Sequence, residues 1–340
     1  MKPGMPKDPA ERLKKLGIRS FEVLIHDQPK EWLLENFHEG ATDYPVNVSA
    51  LMKNIIWQTR ERILSGDKPL LKELVRTFWY MYIKPTLARV ESLTHETDQY
   101  RQLVDTLVLL VKDAQLMDYK DIGFRDDNQA NRKVGLNANV ILYAEKVGHQ
   151  DFLAEMAAKY QVSTIAMGGQ PSVMNVEYFV DDLKAQGVDI TRSFFLFGIV
   201  DYDTSGWIIR DTFVDDLARY GINHVKNTDL IYPDMLTAQE IQMARYPIAD
   251  TEKGSAKKNT DWLRLIAKRG YKNQKYLATE RGPRGQRIIW GLEAQSVSTL
   301  RIAEKLDRLL TGLLSKTEGE LSIRMLEKIL QQLKDLQTIR

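Results

Sequence analysis

Asp201 and Asp203 stand two residues apart, just past the apolar run 195–199, and Gly206 follows them. A continuous apolar run bounded by turn signals reads as a buried strand. The two carboxylates are then held at a strand end, where ligands collect in parallel α/β sheets. A second such run, "VILYAEK", ends on Glu145, and a third, "STIAMGGQP", ends on Gly168 and Gly169. Three carboxylates converging on one sheet edge repel each other unless a cation lies among them. Hard oxygen donors without His or Cys favour Mg²⁺, which keeps several waters and is shared with phosphate oxygens. The plainer reading of each aspartate is a cap on the helix that follows.

An Asp-x-Asp pair also opens haloacid-dehalogenase-type phosphatases, with the first Asp as nucleophile. There the pair lies on the first strand of its domain, whereas here at least two βα units come before it. A second candidate group lies in "VRTFWYMYIKP", where Arg76 is one helical turn before Tyr80. A tyrosyl oxygen can attack a phosphodiester, and an arginine can steady the charge that develops on the phosphate. Phe78, Trp79 and Tyr82 are equally good material for a packed helix face.

These residues need elements to position them. "NVSALMKNIIWQTRERILSG" predicts a helix capped by Ser49 and ended by Gly66. "DKPLLKELVRTFWYMYIK" predicts a second, with Asp67 as cap and Pro69 in its first turn. "ETDQYRQLVDTLVLLVKDAQL" predicts a third. "MDYKDIGFRDDNQANRKVGL" suits a β-hairpin or wing. Upstream, "SFEVLI" reads as a short strand and "PKEWLLENF" as a short helix. From Asn137 the pattern becomes strand, glycine turn, helix, repeated; this indicates βαβ units and a parallel sheet. The region 251–287 is polar and basic, and the last stretch is helical. The expected organisation is an arm over 1–45, a winged-helix domain over 46–132 and an α/β domain over 133–340.

The 340 residues suffice for two domains, and the absence of cysteine excludes disulfides, thiolate zinc and a cysteine nucleophile. A net charge of +2 argues neither for nor against nucleic acid. The charged opening segment predicts no secretory signal, and no apolar run reaches the length of a membrane span. The expected location is cytoplasmic.

Taken together the motifs resemble the DNA-cleaving, A-type subunit of type IIB DNA topoisomerases (topoisomerase VI), a family sharing ancestry with the meiotic double-strand-break transesterase. Arg76-Thr77-Phe78-Trp79-Tyr80 matches the first and last positions of the family's R-D-[IV]-[YF]-Y motif. Tyr143-Ala144-Glu145-Lys146 resembles its "VEK" strand, and Asp201, Asp203 and Gly206 its D-x-D-P-x-G. "GGQPSVMNVEYFVDDL" is similar to the family's glycine turn and helix, and Glu293-Ala294 to its late "EIEAL" segment. Thr77 and Trp79 depart from the tyrosine motif, so the match is to a divergent member.

The resemblance implies a winged-helix domain followed by a Toprim domain with a Rossmann-like parallel sheet. It implies an isomerase acting on double-stranded DNA in the nucleoid. Tyr80 would form a 5′-phosphotyrosyl link with Arg76 beside the phosphate, and Glu145, Asp201 and Asp203 would hold Mg²⁺. A homodimer would cut both strands, and a separate GHKL-type ATPase subunit would drive strand passage, since the chain has no G-x-x-x-x-G-K-[ST] motif. The arm over 1–45 would dock that partner. The alternative is a catalytically silent DNA-binding protein of the same architecture.

Overall fold

The computed structural model describes residues 1–38, 44–169, 172–248, 255–283, 285 and 287–314. The chain divides into two compact units between Asp127 and Asn128.

The first unit is helical. α1 (Pro9–Lys15) is capped by Asp8, and α2 (Lys30–Phe37) starts after Pro29. α3 (Val48–Leu64) buries Leu51, Met52, Ile55 and Ile56 at helical spacing. Its cap is Asn47, whose side chain accepts from Ala50 N at 2.9 Å, rather than the expected Ser49. Gly66 ends it at φ 84°, a conformation that favours glycine.

The expected strand "SFEVLI" is irregular chain leading into a 3₁₀ turn, Ile25–Asp27. Side chains of α3 satisfy its backbone instead of a neighbouring strand. Gln58 donates to Phe21 O and accepts from Ile25 N, and Asn54 accepts from Arg19 N at 2.8 Å. Within the expected arm, the segment around Arg19–Ile25 is thus held by α3, and the start of the arm is bonded to the 113–115 segment through Lys2 N and the Arg12 guanidinium; 39–43 lie outside the described residues.

The second helix starts seven residues later than Asp67 predicts. α4 (Val75–Phe78) follows a segment that pairs elsewhere: Leu71 N donates to Ile122 O at 3.0 Å, and Arg125 N to Glu73 O at 2.8 Å. It continues through a π-helical turn, Trp79–Ile83, into α5 (Lys84–Arg89). Pro85 has no amide to return to Met81, and Lys84 N reaches back five residues to Trp79 O. α6 (Glu96–Val108) is the third helix. The segment expected as a hairpin does not form one. Asp118 and Asp121 close a capping box on the 3₁₀ turn Tyr119–Asp121, and a second turn covers Gln129–Asn131. The chain then enters β1 (Arg132–Lys133), which joins the sheet of the second unit.

That sheet is built as expected. β2 (Asn137–Ala144), α7 (Gln150–Tyr160), β3 (Val162–Ala166), α8 (Val173–Ala185), β4 (Phe194–Ile199), α9 (Thr204–Arg219) and β5 (Val225–Asp229) alternate. The strand order is β1-β3-β2-β4-β5, parallel except for the antiparallel edge β1. α7 packs with Val140, Leu142 and Ile199 on one face, and α8 and α9 with Ile141, Tyr143 and Leu196 on the other. Both faces are covered, which is why the strands read as unbroken apolar runs.

α10 (Ala238–Ala244), β6 (Arg245–Ile248), α11 (Ser255–Arg269), β7 (Glu280–Arg281), β8 (Arg287–Leu292) and α12 (Thr299–Leu314) complete the described unit. The small antiparallel sheet β6-β8-β7 is tied to the end of β4 through Tyr202, which exchanges backbone hydrogen bonds with Leu292. α12 buries Ile302, Leu306 and Leu310; the helical expectation beyond it lies outside the described residues. Among the described residues no helix is long and apolar enough to cross a membrane.

Candidate functional site

The path of the chain through the sheet brings the acids together. β2 is central, with β3 on one side and β4 on the other, so the connection reverses direction across β2. Crevices at such switch points are where open α/β sheets bind ligands. Ala144 is in register with Ile199, so Glu145, one residue past β2, and Asp201, two residues past β4, leave the same edge of the sheet. Asp201 N donates to Glu145 Oε2 at 3.2 Å. Glu145, Asp201 and Asp203 are each less than a tenth exposed.

Every one of these carboxylates has protein partners. Asp201 Oδ1 accepts from Ala294 N at 2.8 Å, and its Oδ2 from Lys146 Nζ at 2.9 Å. Lys146 also donates to Glu293 Oε1, a residue brought in at the end of β8. Asp203 Oδ1 accepts from Gly206 N at 2.7 Å as the cap of α9, and Oδ2 from the Tyr246 hydroxyl of β6. Asp203 therefore plays the capping part that its position after a strand predicts, and it does so within the acid cluster.

Burial, then the charges of Asp201 and Asp203, push Glu145 from its ordinary 4.5 up to about 7. Burial also raises Asp203, against the hydrogen bonds from Tyr246 and Gly206. Burial pulls Lys146 down, but hydrogen bonds to Glu293 and Asp201 outweigh it, and the ammonium is held above its usual range. The Tyr246 phenol is raised by burial and by Asp203.

Glu145 gives a pH prediction. Its folded-state pKa lies above the unfolded one, so the folded chain binds more protons between pH 4.5 and about 7. Its contribution to stability is full below that window and lost as pH rises through it. Glu145→Gln is expected to flatten this part of the profile and to be more stable than wild type at pH 8. Urea unfolding of both proteins from pH 5 to 8 measures it; equal slopes would remove the assignment.

Asp203 gives a second. Removing the carboxylate takes away a helix cap, about 1 kcal/mol, and strands a buried hydroxyl on Tyr246, roughly 1–3 kcal/mol. Asp203→Ala is expected to lose about 2–4 kcal/mol, while Asp203→Asn, whose amide oxygen keeps the cap on Gly206 N and whose NH2 can donate to the Tyr246 hydroxyl oxygen in place of accepting from it, should lose less, about 1 kcal/mol. Chemical denaturation compares them, and an undiminished Asp203→Ala would show that the cap carries no stability.

The donor chemistry of this cluster is that of a hard-cation site: Glu145, Asp201 and Asp203 gather at the strand ends, and one ammonium, Lys146, pairs with Asp201 and Glu293. Burial raises Glu145 most, and the charges of Asp201 and Asp203, which add to it, are what a cation would offset. In the present arrangement their oxygens are turned to protein donors, and no three acid or histidine side chains are spaced to hold a metal among the described residues.

The tyrosine candidate lies in the first unit. Phe78 and Trp79 are buried, whereas Tyr80 is 44% exposed. The aromatic run is thus divided between core and surface. Arg76 Nη2 donates to Tyr80 Oη at 3.2 Å, and its guanidinium also lies over Tyr100. The Lys84 ammonium stands 5.1 Å from the Tyr80 ring and pairs with Glu96 at 2.8 Å. Tyr80 sits on the π-helical turn, an irregularity frequent at functional sites.

Each expected group is therefore assembled within its own unit: Arg76 with Tyr80, and Glu145 with Asp201 and Asp203. Sequence reasoning missed Lys146, Glu293 and Tyr246 as members. Lys146 follows Glu145 directly and Glu293 lies in a segment already singled out, so both carried a signal; Tyr246 carried none. In the basic region, Lys257, Lys258 and Arg264 are exposed, but Arg269 pairs with Asp229 at 2.9 Å and lies over Trp207. Lys253 and Arg284 lie outside the described residues. Comparison of the chain with protein-family models and with curated proteins gave no match.

Proposed function

We propose that this chain is a DNA-cleaving transesterase of the type IIB topoisomerase kind, its first unit a divergent winged-helix domain and its second a Toprim domain. The observation that carries the reading is the Arg76–Tyr80 pair, an exposed phenol hydroxyl 3.2 Å from a guanidinium on a π-helical turn. In this reading Tyr80 Oη loses its proton and attacks a DNA phosphorus. The bond from phosphorus to the 3′ oxygen breaks, leaving a 3′-hydroxyl and a 5′-phosphotyrosyl link. Attack by that hydroxyl reverses the step and releases the tyrosine, so resealing needs no nucleotide.

Arg76 stabilises charge on the attacked phosphate. Glu145, Asp201 and Asp203 would hold Mg²⁺, which when bound neutralises phosphate charge. A homodimer would cut both strands of double-stranded DNA, and a GHKL-type ATPase subunit would supply strand passage. The exposed lysines of α11 would meet the DNA backbone.

The test is to incubate the protein with supercoiled plasmid and Mg²⁺, with and without a candidate ATPase partner, and to stop with detergent. Protein-linked linear DNA supports the reading. A second reading, a silent DNA-binding protein, is favoured by Thr77 and Trp79 and by the saturation of Asp203 with protein donors. It predicts DNA retardation with no covalent product in the same assay.

A further inference from the structure

The Arg76–Tyr80 pair has a neighbour in the first turn of the next helix. Tyr80 Oη accepts from Arg76 Nη2 at 3.2 Å, which leaves the phenol's own proton to be placed. The two cations beside it, Arg76 and the Lys84 ammonium 5.1 Å from its ring, cannot take that proton. Tyr100, under the same guanidinium, is a phenol that burial holds protonated. The carboxylate at this place is Glu96, at the start of α6. It accepts one full hydrogen bond among the described residues, to Oε2 from Lys84 Nζ at 2.8 Å. Hydrogen bonding from Lys84, and more weakly from the Tyr80 phenol, holds the carboxyl below its usual range, so it is ionised at neutral pH. Contacts that carry a proton are often long before substrate binds and tighten with it. An acid in a first turn also suits the helix dipole, and an exposed ion pair is common at a surface. Neither role needs the acid to reach Tyr80.

We infer that Glu96 is the general base of the reaction: it takes the Tyr80 proton as the phenolic oxygen attacks, and gives a proton back when the link is resealed. This rests on the transesterase reading above. The proton passes from Tyr80 Oη to Glu96 while the oxygen–phosphorus bond forms. The bond from phosphorus to the 3′ oxygen breaks, and its electron pair leaves with that oxygen. The 3′ oxygen takes a proton from water, and Glu96 returns its own to the hydroxide this produces. A carboxylate is a weak base for a free phenol. It suffices here because the phenolic oxygen becomes acidic as it bonds to phosphorus, so transfer is coupled to attack. Lys84 is a positioning residue: it fixes one carboxylate oxygen and leaves the other available.

The experiment measures single-turnover formation of protein-linked DNA from supercoiled plasmid and Mg²⁺, under the conditions in which wild type cuts, from about pH 6 to 9. The readout is the ratio of wild-type to variant rate. The groups facing Glu96 are Lys84 and Tyr80, with Arg76 and Tyr100 beyond them. All are present in wild type and Glu96→Gln, so that ratio isolates the carboxylate. For Glu96→Gln it is expected to be at least about a hundredfold at pH 6, and to shrink about tenfold per pH unit as hydroxide replaces the carboxylate. Glu96→Asp, which keeps the base, should lose less and by the same factor at every pH. Lys84→Met breaks the same ion pair and keeps the carboxylate, so its ratio should not change with pH either. Melting curves check folding. Added formate should restore cutting to Glu96→Ala, and this arm decides if the Gln variant is unfolded. A Glu96→Gln rate equal to wild type at pH 6 overturns the inference alone. So does a loss that is the same at every pH, a pH-dependent loss shared by Lys84→Met, or a formate arm without effect. No protein-linked DNA from wild type overturns the transesterase reading and the inference with it.

Discussion

Tyr80→Phe is expected to abolish protein-linked DNA, by at least about a thousandfold, with the fold intact. Phenylalanine keeps the ring and loses one oxygen. That oxygen accepts from Arg76 at 3.2 Å, at an exposed position. The ring contacts with Arg76 and Lys84 survive, so stability should move by no more than about 0.5 kcal/mol. The neighbouring phenols are poorer substitutes. Tyr82 packs edge-on against His26 at 4.6 Å, and burial followed by the Asp27 charge raises it above its ordinary value. Burial raises Tyr100 in the same way. A phenol held protonated is a weaker nucleophile. Detergent-trapped plasmid and a melting curve on both proteins make the comparison. Cutting by Tyr80→Phe equal to wild type would remove Tyr80 from the mechanism.

The parts of the molecule that could be read in advance are those whose physics is local. The strands of the second unit are covered on both faces, so "VILYA", "STIA" and "FFLFGI" carry their burial in composition alone. Glu145 and Asp201 follow directly, since a residue at the end of a parallel strand must stand at the sheet edge. Two misreadings of the first unit have one cause: a distant partner takes over hydrogen bonds that local pattern assigns to strand or helix. Gln58 does so for "SFEVLI", and the 122–125 segment for the residues before Val75. The expected wing fails differently: Asp118 and Asp121 close a local capping box on a 3₁₀ turn, and the strand residues that follow, β1, pair with β3. In the site, Tyr246 reaches Asp203 across 43 residues and Glu293 reaches Lys146 across 147. Separations of that size leave no periodicity to detect. The π-helical turn under Tyr80 was half legible, because Pro85 announces a missing amide but not where the ladder will widen.

The largest stability effect should come from the smallest side chain in the site. Gly206→Ala is expected to destabilise the second unit by roughly 3 kcal/mol or more. On propensity alone the sign would be opposite, since alanine is favoured over glycine in a helix by about 1 kcal/mol. What reverses it is the approach of α9 to the end of β4. A methyl on Gly206 would lie 2.1 Å from Asp201 O and 3.0 Å from both Asp201 C and N. These are backbone atoms and cannot swing aside. The first turn of α9 must therefore move away from Asp201. Gly206 N then withdraws from Asp203 Oδ1, now 2.7 Å away, and the cap is lost. Asp203 is fixed on its other side by Tyr246, so displacement also disturbs that buried hydrogen bond. Gly312 supplies the contrast: it lies in α12 with no neighbour within 4 Å of an added methyl, and Gly312→Ala should stabilise by about 1 kcal/mol. Urea unfolding of both variants, with Mn²⁺ titration of Gly206→Ala, measures the two consequences together. If Gly206→Ala gains stability as Gly312→Ala does, the close packing of α9 on Asp201 is not what holds the two aspartates in place. If it loses stability and metal binding together, the same glycine that lets the helix approach the strand also sets the geometry of the acids.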